Sequence, residues 1–237
     1  MGAALKSCAL IAVSTVMLVA IVHSQSRMGF VAVLAGLLIA GTLWFGTERF
    51  GPERVGLTGF GLRTRVPLVA LVALLVFLGF IFLPTDALIH RFADLATSEE
   101  VSADTRAQIW RETLGLVEAY PLLGVGLGGY ESGFIEYKRV APLYLVDFAH
   151  NDYLQLLAEF GVVGFTLLLL LAGRTLTQAF WVGSVSREID GRCLGIAAAG
   201  SLGAIALHSF VDFNLYIPAH TMMVAWIGGV VDQVSRA

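Results

Sequence analysis

The stretch "YLQLLAEFGVVGFTLLLLLA", residues 153–172, is almost entirely apolar over a length that can cross a bilayer. An α-helix needs about 20 such residues to span a hydrocarbon core of roughly 30 Å. The 237-residue chain shares this character: 57% of its residues are hydrophobic, 14% are charged, and its mean hydropathy is +0.79. Because soluble domains carry about 25% charged residues, the composition predicts an integral membrane protein.

Six segments have the length and composition of membrane spans: 3–22, 28–46, 66–83, 153–172, 194–212 and 218–234. The predicted fold class is therefore all-α, a polytopic bundle of about six transmembrane helices. The first segment leads into a Ser-Arg turn and not into a small-residue cleavage site, which favours a membrane helix over a signal peptide. The last two segments are separated only by residues 213–217, so a re-entrant hairpin there is an alternative.

Arginines are concentrated in two of the predicted loops, at residues 47–65 and 173–193. Short basic loops stay in the cytoplasm, so both loops and both termini are expected on that side. The predicted organisation is three transmembrane helices in residues 1–83, an extracytoplasmic loop with short helices in 84–151, and three further transmembrane helices in 152–237.

Charge and cysteine content exclude several classes of function. A formal net charge of −3 gives no indication of nucleic-acid binding. Two cysteines, Cys8 and Cys193, indicate neither a disulfide framework nor a metal cluster, and we expect both to be buried free thiols.

Polar residues at the edges of membrane helices are costly, which makes them candidates for function. Arg27 lies in "SQSRMGF" at the predicted outer mouth between the first two helices, where it either binds a ligand or snorkels to the interface. Arg106 shares one face of the predicted helix in "SADTRAQIWRETLGLVEAYP" with Trp110 and Thr113. Its planar guanidinium either binds an anion or pairs with an acid of the loop.

Two histidines lie at predicted helix ends. His150 begins "HNDYLQLLAEFG", in which Asp152, Gln155 and Glu159 form a polar stripe that must face protein or water. His150 either exchanges protons near neutral pH or has a structural role. His208 and Asp212 are spaced i, i+4, so Asp212 either orients His208 or the pair anchors the helix end. Two candidate ligands do not make a metal site.

The stretch "PLLGVGLGGYE", residues 121–131, matches G-x-G-x-x-G through Gly124, Gly126 and Gly129. A dinucleotide-binding turn needs a strand before it and a helix that opens on the third glycine, and neither is predicted here. We therefore expect no nucleotide cofactor. The glycines form either a tight turn packed on the bundle or an anion-binding nest of backbone N–H groups.

In this order, Arg-x-x-x-Trp, Pro-x-x-Gly-x-Gly, His-Asn-Asp and "HSFVDFNLYIPA" resemble the core of the O-antigen ligase and polymerase superfamily. The resemblance covers roughly residues 100–218, and "SQSRMGF" less strongly. These proteins are bacterial inner-membrane glycosyltransferases that act on polyprenyl-linked glycans at the periplasmic face. Because members usually have more than six transmembrane helices, the chain is expected to represent their C-terminal half.

The resemblance implies that Arg27 and Arg106 hold a lipid diphosphate and that His150 assists an acceptor hydroxyl. The implied reaction transfers a glycan from undecaprenyl diphosphate to a lipid or glycan acceptor, without a metal or cofactor. The set of predicted substrate-binding residues is completed by Arg111, Asn151, Asp152, His208, Asp212, Gly124 and Gly126.

Alternatives within the superfamily are a polysaccharide polymerase and a protein O-oligosaccharyltransferase. A non-catalytic membrane scaffold or lipid-glycan-binding protein, left by truncation, is the alternative from another class. A transporter is disfavoured, because transporters place polar residues near the midplane of the bilayer and the polar residues here cluster at one face.

Overall fold

The computed structural model describes residues 26–46, 103–139 and 146–236, and in the preceding region residues 9, 12–17, 19–21 and 24. The helices in these ranges are α1 (Arg27–Gly46), α2 (Ala103–Ala119), α3 (Tyr130–Phe134), α4 (Asp152–Val185), α5 (Ile189–His208) and α6 (Pro218–Arg236), with a 3-10 turn at Asn214–Tyr216. No strand occurs in these described ranges, which confirms the predicted all-α class.

The chain divides into two compact units. One comprises Met1–Val31 and Gly51–Glu99, and the other comprises Ala32–Phe50 and Glu100–Ala237. In the first unit, Ser26 precedes α1, and its Oγ accepts a hydrogen bond of 3.0 Å from the N–H of Gly29. A serine in this position satisfies one of the backbone donors that the first turn of a helix leaves open. The second unit contains α1 from Ala32 onward and the elements from α2 to α6.

Within the described residues, three helices are long and apolar enough to cross a membrane: Met28–Gly46, Asp152–Val185 and Ile189–His208. They correspond to the predicted spans 28–46, 153–172 and 194–212. The predicted span 66–83 lies outside the described residues, and 3–22 is described only in part, around the short apolar helix Ala12–Ile21. Helix α6 covers the predicted span 218–234 but is not one of these three.

The predicted loop at residues 173–193 is wrong. Helix α4 continues to Val185 and α5 begins at Ile189, which leaves a connection of three residues. Arg174 lies within the helix, and its guanidinium pairs with Asp232 of α6 at 3.3 Å. The expectation of a buried Cys193 is also wrong, since this thiol is exposed.

Small residues allow α5 to approach its neighbours closely. A Cβ added to Gly200 would lie 2.7 Å from the carbonyl oxygen of Gly36 in α1, and one added to Gly195 would collide with the backbone of Gly183 in α4. Small residues permit such backbone contacts between membrane helices, where apolar burial alone provides little driving force for association.

Helix α4 is interrupted at Gly161, whose φ of 61° and ψ of −174° are not helical. The interruption frees backbone groups on both sides, and residues 121–129, here called the glycine loop, pair with them. Four hydrogen bonds of 2.8–3.2 Å join the two segments: Val125 and Gly126 donate to the carbonyls of Ala158 and Glu159, and Val162 and Val163 donate to the carbonyls of Pro121 and Leu122.

Two glycines make this pairing possible. Gly124 and Gly161 have positive φ angles of 68° and 61°, which side chains with a Cβ rarely adopt. A Cβ on Gly124 would collide with the backbone of Glu159, and one on Gly161 would collide with the carbonyl of Leu122. The backbone of the glycine loop therefore packs directly against the backbone of α4 at the interruption, with no room for a Cβ at Gly124 or Gly161.

We expect Gly161→Ala to lower the free energy of unfolding by about 2 kcal/mol or more, because a strained backbone angle adds to the steric collision. Gly173→Ala is the matched control on the same helix, since a Cβ there meets no atom within 4 Å. Thermal unfolding in detergent measures both variants. Equal midpoints for the two would contradict the role given to Gly161.

Candidate functional site

His150 lies immediately before α4 in a strained backbone conformation. Its φ of 51° is the one positive φ of a non-glycine residue among the described positions. The preceding residue, Ala149, is held on both sides: its N–H donates to Oε1 of Gln155 at 2.8 Å, and its carbonyl accepts from Nε1 of Trp110 at 2.8 Å. Strain of this kind persists only where the surroundings fix it, and it concentrates at functional sites.

The His150 imidazole packs against the edge of the Phe213 ring, with 5.3 Å between ring centroids. Phe213 in turn stacks on Phe148 at 4.4 Å. The Nδ1 atom of His150 is buried and has no hydrogen-bond partner among the described residues. The ring is thus held in place, and its buried Nδ1 is not used by any described group of the chain.

Arg106 reaches the same region from α2. Its Nη1 donates to the carbonyl of Val211 at 3.2 Å, and its Nε is buried without a hydrogen-bond partner in the described part of the chain. No described acid lies within ion-pair distance of its guanidinium. The described residues therefore supply no acidic partner for Arg106, which the ion-pair interpretation would require.

The charge of Arg106 acts on His150. Burial and this guanidinium lower the pKa of His150, while the nearby carboxylate of Asp212 partly opposes them. The imidazole is therefore held in its neutral form, in which one nitrogen can accept a proton. A base beside a cationic group is an arrangement suited to a reaction in which an anion leaves and a hydroxyl loses its proton.

Asp212 also faces His208, as the i, i+4 spacing suggested. The Nε2 of His208 lies 3.8 Å from Oδ2 of Asp212. The other carboxylate oxygen accepts the N–H of Phe213 at 2.9 Å, so Asp212 is fixed to the segment that carries the aromatic neighbour of His150. The Asp212 carboxylate therefore acts electrostatically on both His208 and His150.

The polar stripe of α4 faces protein, as expected, and each of its members is at most 1% exposed. Asp152 accepts the N–H of Leu215 at 3.1 and 3.2 Å, and Gln155 accepts the N–H of Ala149. Both side chains thus hold segments that flank His150. The assignment of Asp152 to substrate binding stays a prediction, because its oxygens serve a bond within the chain.

The buried carboxylate of Glu159 accepts hydrogen bonds from three donors. Its oxygens accept hydrogen bonds from the N–H of Gly128 at 3.0 Å, the N–H of Tyr130 at 3.3 Å and the hydroxyl of Tyr216 at 2.8 Å. Burial and the carboxylate raise the pKa of Tyr216 well above its usual value, so this hydroxyl keeps its proton and donates it. Glu159 therefore ties the glycine loop and the 3-10 turn to α4.

Several N–H groups of the glycine loop have acceptors within the chain, among them the Glu159 carboxylate, which accepts from Gly128 at 3.0 Å. The N–H groups of Gly124 and Gly126 donate to the carbonyls of Tyr120 and Glu159, at 3.1 and 2.9 Å. A role for these two glycines in substrate binding stays a prediction, and their N–H groups already have acceptors. Packing on the bundle is the interpretation that the geometry favours.

A groove of about 500 Å³ is lined by residues of α2 and α4 and includes Phe165, beyond Gly161. Its walls are mostly apolar, and the exposed Arg111 lies at it together with Asn151. The Oδ1 of Asn151 caps α4 by accepting the N–H of Leu154 at 3.1 Å. The groove thus combines apolar walls with a cationic group, close to the helix that carries Arg106.

Arg27 is the first residue of α1, directly after the capping Ser26. It belongs to the other compact unit, and its side chain lies outside the described part of the structure. Among the described residues, no group of three or more His, Cys, Asp or Glu side chains could hold a metal ion.

Sequence reasoning did not select Phe213 or Tyr216 as part of the site. The signal was present in "VDFNLYIP", an aromatic-rich turn between two apolar helices, where a solvent-exposed connection would favour small polar residues. The sequence did not show that Phe213 packs against His150, because this contact depends on the path of the turn.

The chain was compared with known proteins. No curated protein matches it. A family model described as O-antigen ligase matches residues 12–169, a range that contains Arg27, Arg106, the glycine loop and His150 and ends before His208. This match confirms the resemblance found in the sequence motifs. Because it covers well over half of the 237 residues, the chain belongs to the O-antigen ligase family.

Proposed function

We propose that this membrane protein transfers a glycan from undecaprenyl diphosphate to an acceptor at the periplasmic face of the bacterial inner membrane. The observation that carries the proposal is the convergence of Arg106 and His150, each with a buried nitrogen that has no partner among the described residues. Membership of the O-antigen ligase family supports the same class of reaction.

In the proposed reaction, the acceptor hydroxyl oxygen attacks the anomeric carbon of the donor glycan. The bond from that carbon to the diphosphate oxygen breaks, and undecaprenyl diphosphate leaves with the additional negative charge. Arg106 stabilises this charge, because a preorganised cation acts where charge develops and its fork of donors matches phosphate oxygens. The neutral imidazole of His150 accepts the proton of the hydroxyl.

The apolar groove suits a donor whose tail is a polyprenyl chain. Its walls continue along α4 to Phe165, beyond the interruption at Gly161, while Arg111 and Asn151 lie at it near the start of α4. We assign to Arg111 a second contact with the diphosphate. The sequence makes Arg27 a further candidate for contact with the diphosphate. In this proposal the donor enters the groove sideways from the bilayer.

Loss of either main group should abolish transfer while membrane insertion persists. We expect His150→Ala to lower the rate about 10²–10⁴-fold, the usual contribution of a general base, and Arg106→Ala about 10²–10³-fold. Arg139→Ala, which changes an exposed arginine of the same segment, is the matched control. The measured quantity is undecaprenyl diphosphate released from a labelled donor in proteoliposomes.

Full release by both variants would remove the catalytic assignment of Arg106 and His150, whereas no release by the unaltered protein would favour a lipid-glycan-binding role. Recovery of the label in lipid, polysaccharide or protein fractions identifies the acceptor. It thereby separates a ligase from a polymerase and from a protein O-oligosaccharyltransferase.

The pH dependence of transfer should reflect the environment of His150. Its pKa lies below the usual 6.5, so the rate should stay constant around neutral pH and fall only at pH values below 6.5, where the imidazole gains a proton. The carboxylate of Asp212 raises this pKa, so Asp212→Asn should move the acidic limb to still lower pH. An upward shift, or no shift, would contradict this assignment of the acidic limb to His150.

A further inference from the structure

The glycine loop exposes three leucines although it belongs to a connecting segment. Leu122 is 66% exposed, and Leu123 and Leu127 are each 74% exposed. Single exposed leucines are common on protein surfaces, whereas several on one short loop form an apolar patch that marks an interaction site. We call Leu122, Leu123 and Leu127 the leucine patch.

The hydrogen bonds of the loop determine where the patch lies along α4. Val163 donates to the carbonyl of Leu122 at 3.2 Å, so Leu122 and its neighbour Leu123 are level with the turn that follows Gly161. Leu127 lies between Gly126 and Gly128, which donate to the carbonyl and the carboxylate of Glu159, about one turn before Val163 on the helix. The whole patch is therefore beside the interruption of α4.

The exposed surface of α4 continues from the patch to Leu171 without a charged residue, and the exposed Thr166 is its one polar side chain. Val162 and Val163 are each 50% exposed, and farther along the helix Leu167, Leu170 and Leu171 are 60–64% exposed. Exposed leucines in the middle of a helix long and apolar enough to span a membrane face acyl chains. The leucine patch extends this lipid-facing surface onto the glycine loop.

The apolar part of α4 begins at the same level. Residues 162–173 contain no charged side chain, and Arg174, which pairs with Asp232, lies about 20 Å past Gly161 at 1.5 Å per residue. The residues before the interruption, 152–160, carry the buried polar stripe. The glycine loop therefore lies at the level of α4 where the polar stripe ends and the apolar surface begins.

We propose that the leucine patch inserts among the acyl chains of the leaflet next to the glycine loop. The loop then anchors α2 and His150 at the level where the head group of a membrane lipid lies. The partner is the bilayer itself, because the patch is apolar and continuous with a lipid-facing helix surface. The contact does not depend on the transfer reaction, so failure of one does not imply failure of the other.

The test uses the full chain with Cys8→Ser and Cys193→Ser, reconstituted in liposomes. Leu123→Cys and, separately, Leu127→Cys carry an environment-sensitive fluorophore, and the lipids carry a spin label near the head group. We expect blue-shifted emission that the spin-labelled lipid quenches. Glu131→Cys, at an exposed acid of α3, is the control that should remain unquenched, and Leu167→Cys is the control that lies in lipid.

Equal, weak quenching at the two patch positions and at position 131 would overturn the proposal. Energy transfer between labelled copies, without quenching by the spin-labelled lipid, would also overturn the proposal. The patch would then contact a second copy of the chain and not the bilayer. Both patch leucines are exposed, so their replacement by cysteine leaves the packing of α4 unchanged, and thermal unfolding of each labelled protein verifies this.

Discussion

The interruption of α4 at Gly161 leaves backbone donors and acceptors that hydrocarbon cannot satisfy. Non-helical backbone is tolerated at such a position only where protein provides the missing hydrogen-bond partners. The glycine loop provides them through four backbone hydrogen bonds. This pairing connects α2 and α3, which flank the loop, to the first part of α4, so the position of Arg106 relative to His150 depends on it.

Buried polar side chains complete the connection. A buried carboxylate is costly unless donors surround it, and Glu159 has the N–H groups of Gly128 and Tyr130 and the hydroxyl of Tyr216. Asp152 and Gln155 hold Leu215 and Ala149 in the same manner. The stripe thus fixes the segments around the site. Arg106 and His150, whose buried nitrogens have no hydrogen-bond partner in the ranges that the structure describes, are not part of the stripe.

Several features followed from local sequence patterns alone. The apolar runs identified α1 and α4, and the stripe of α4 had to face protein because its polar groups could not face lipid. The loop predicted at 173–193 was wrong because arginine is a good helix former, so a basic segment does not by itself end a helix. Helix α4 continues to Val185, and Arg174 meets Asp232, 58 positions away.

The two interpretations of the glycines could not be separated in the sequence either. A tight turn and an anion nest need the same residue type, since both use backbone that lacks a Cβ. The interruption at Gly161 made the difference, because it supplies carbonyl groups that accept the N–H groups of the loop. Most of the N–H groups that a nest would offer to a ligand therefore serve the fold.

The sequence by itself determined the helical class, the membrane character and the family, because hydropathy, helix periodicity and motif order depend on residues close together in the chain. The tertiary structure decided which groups meet. Arg106 and Val211 are 105 positions apart, and the aromatic ring beside His150 comes from a turn after α5. Such contacts depend on how separate helices pack, and packing depends on the shapes of all the surfaces together.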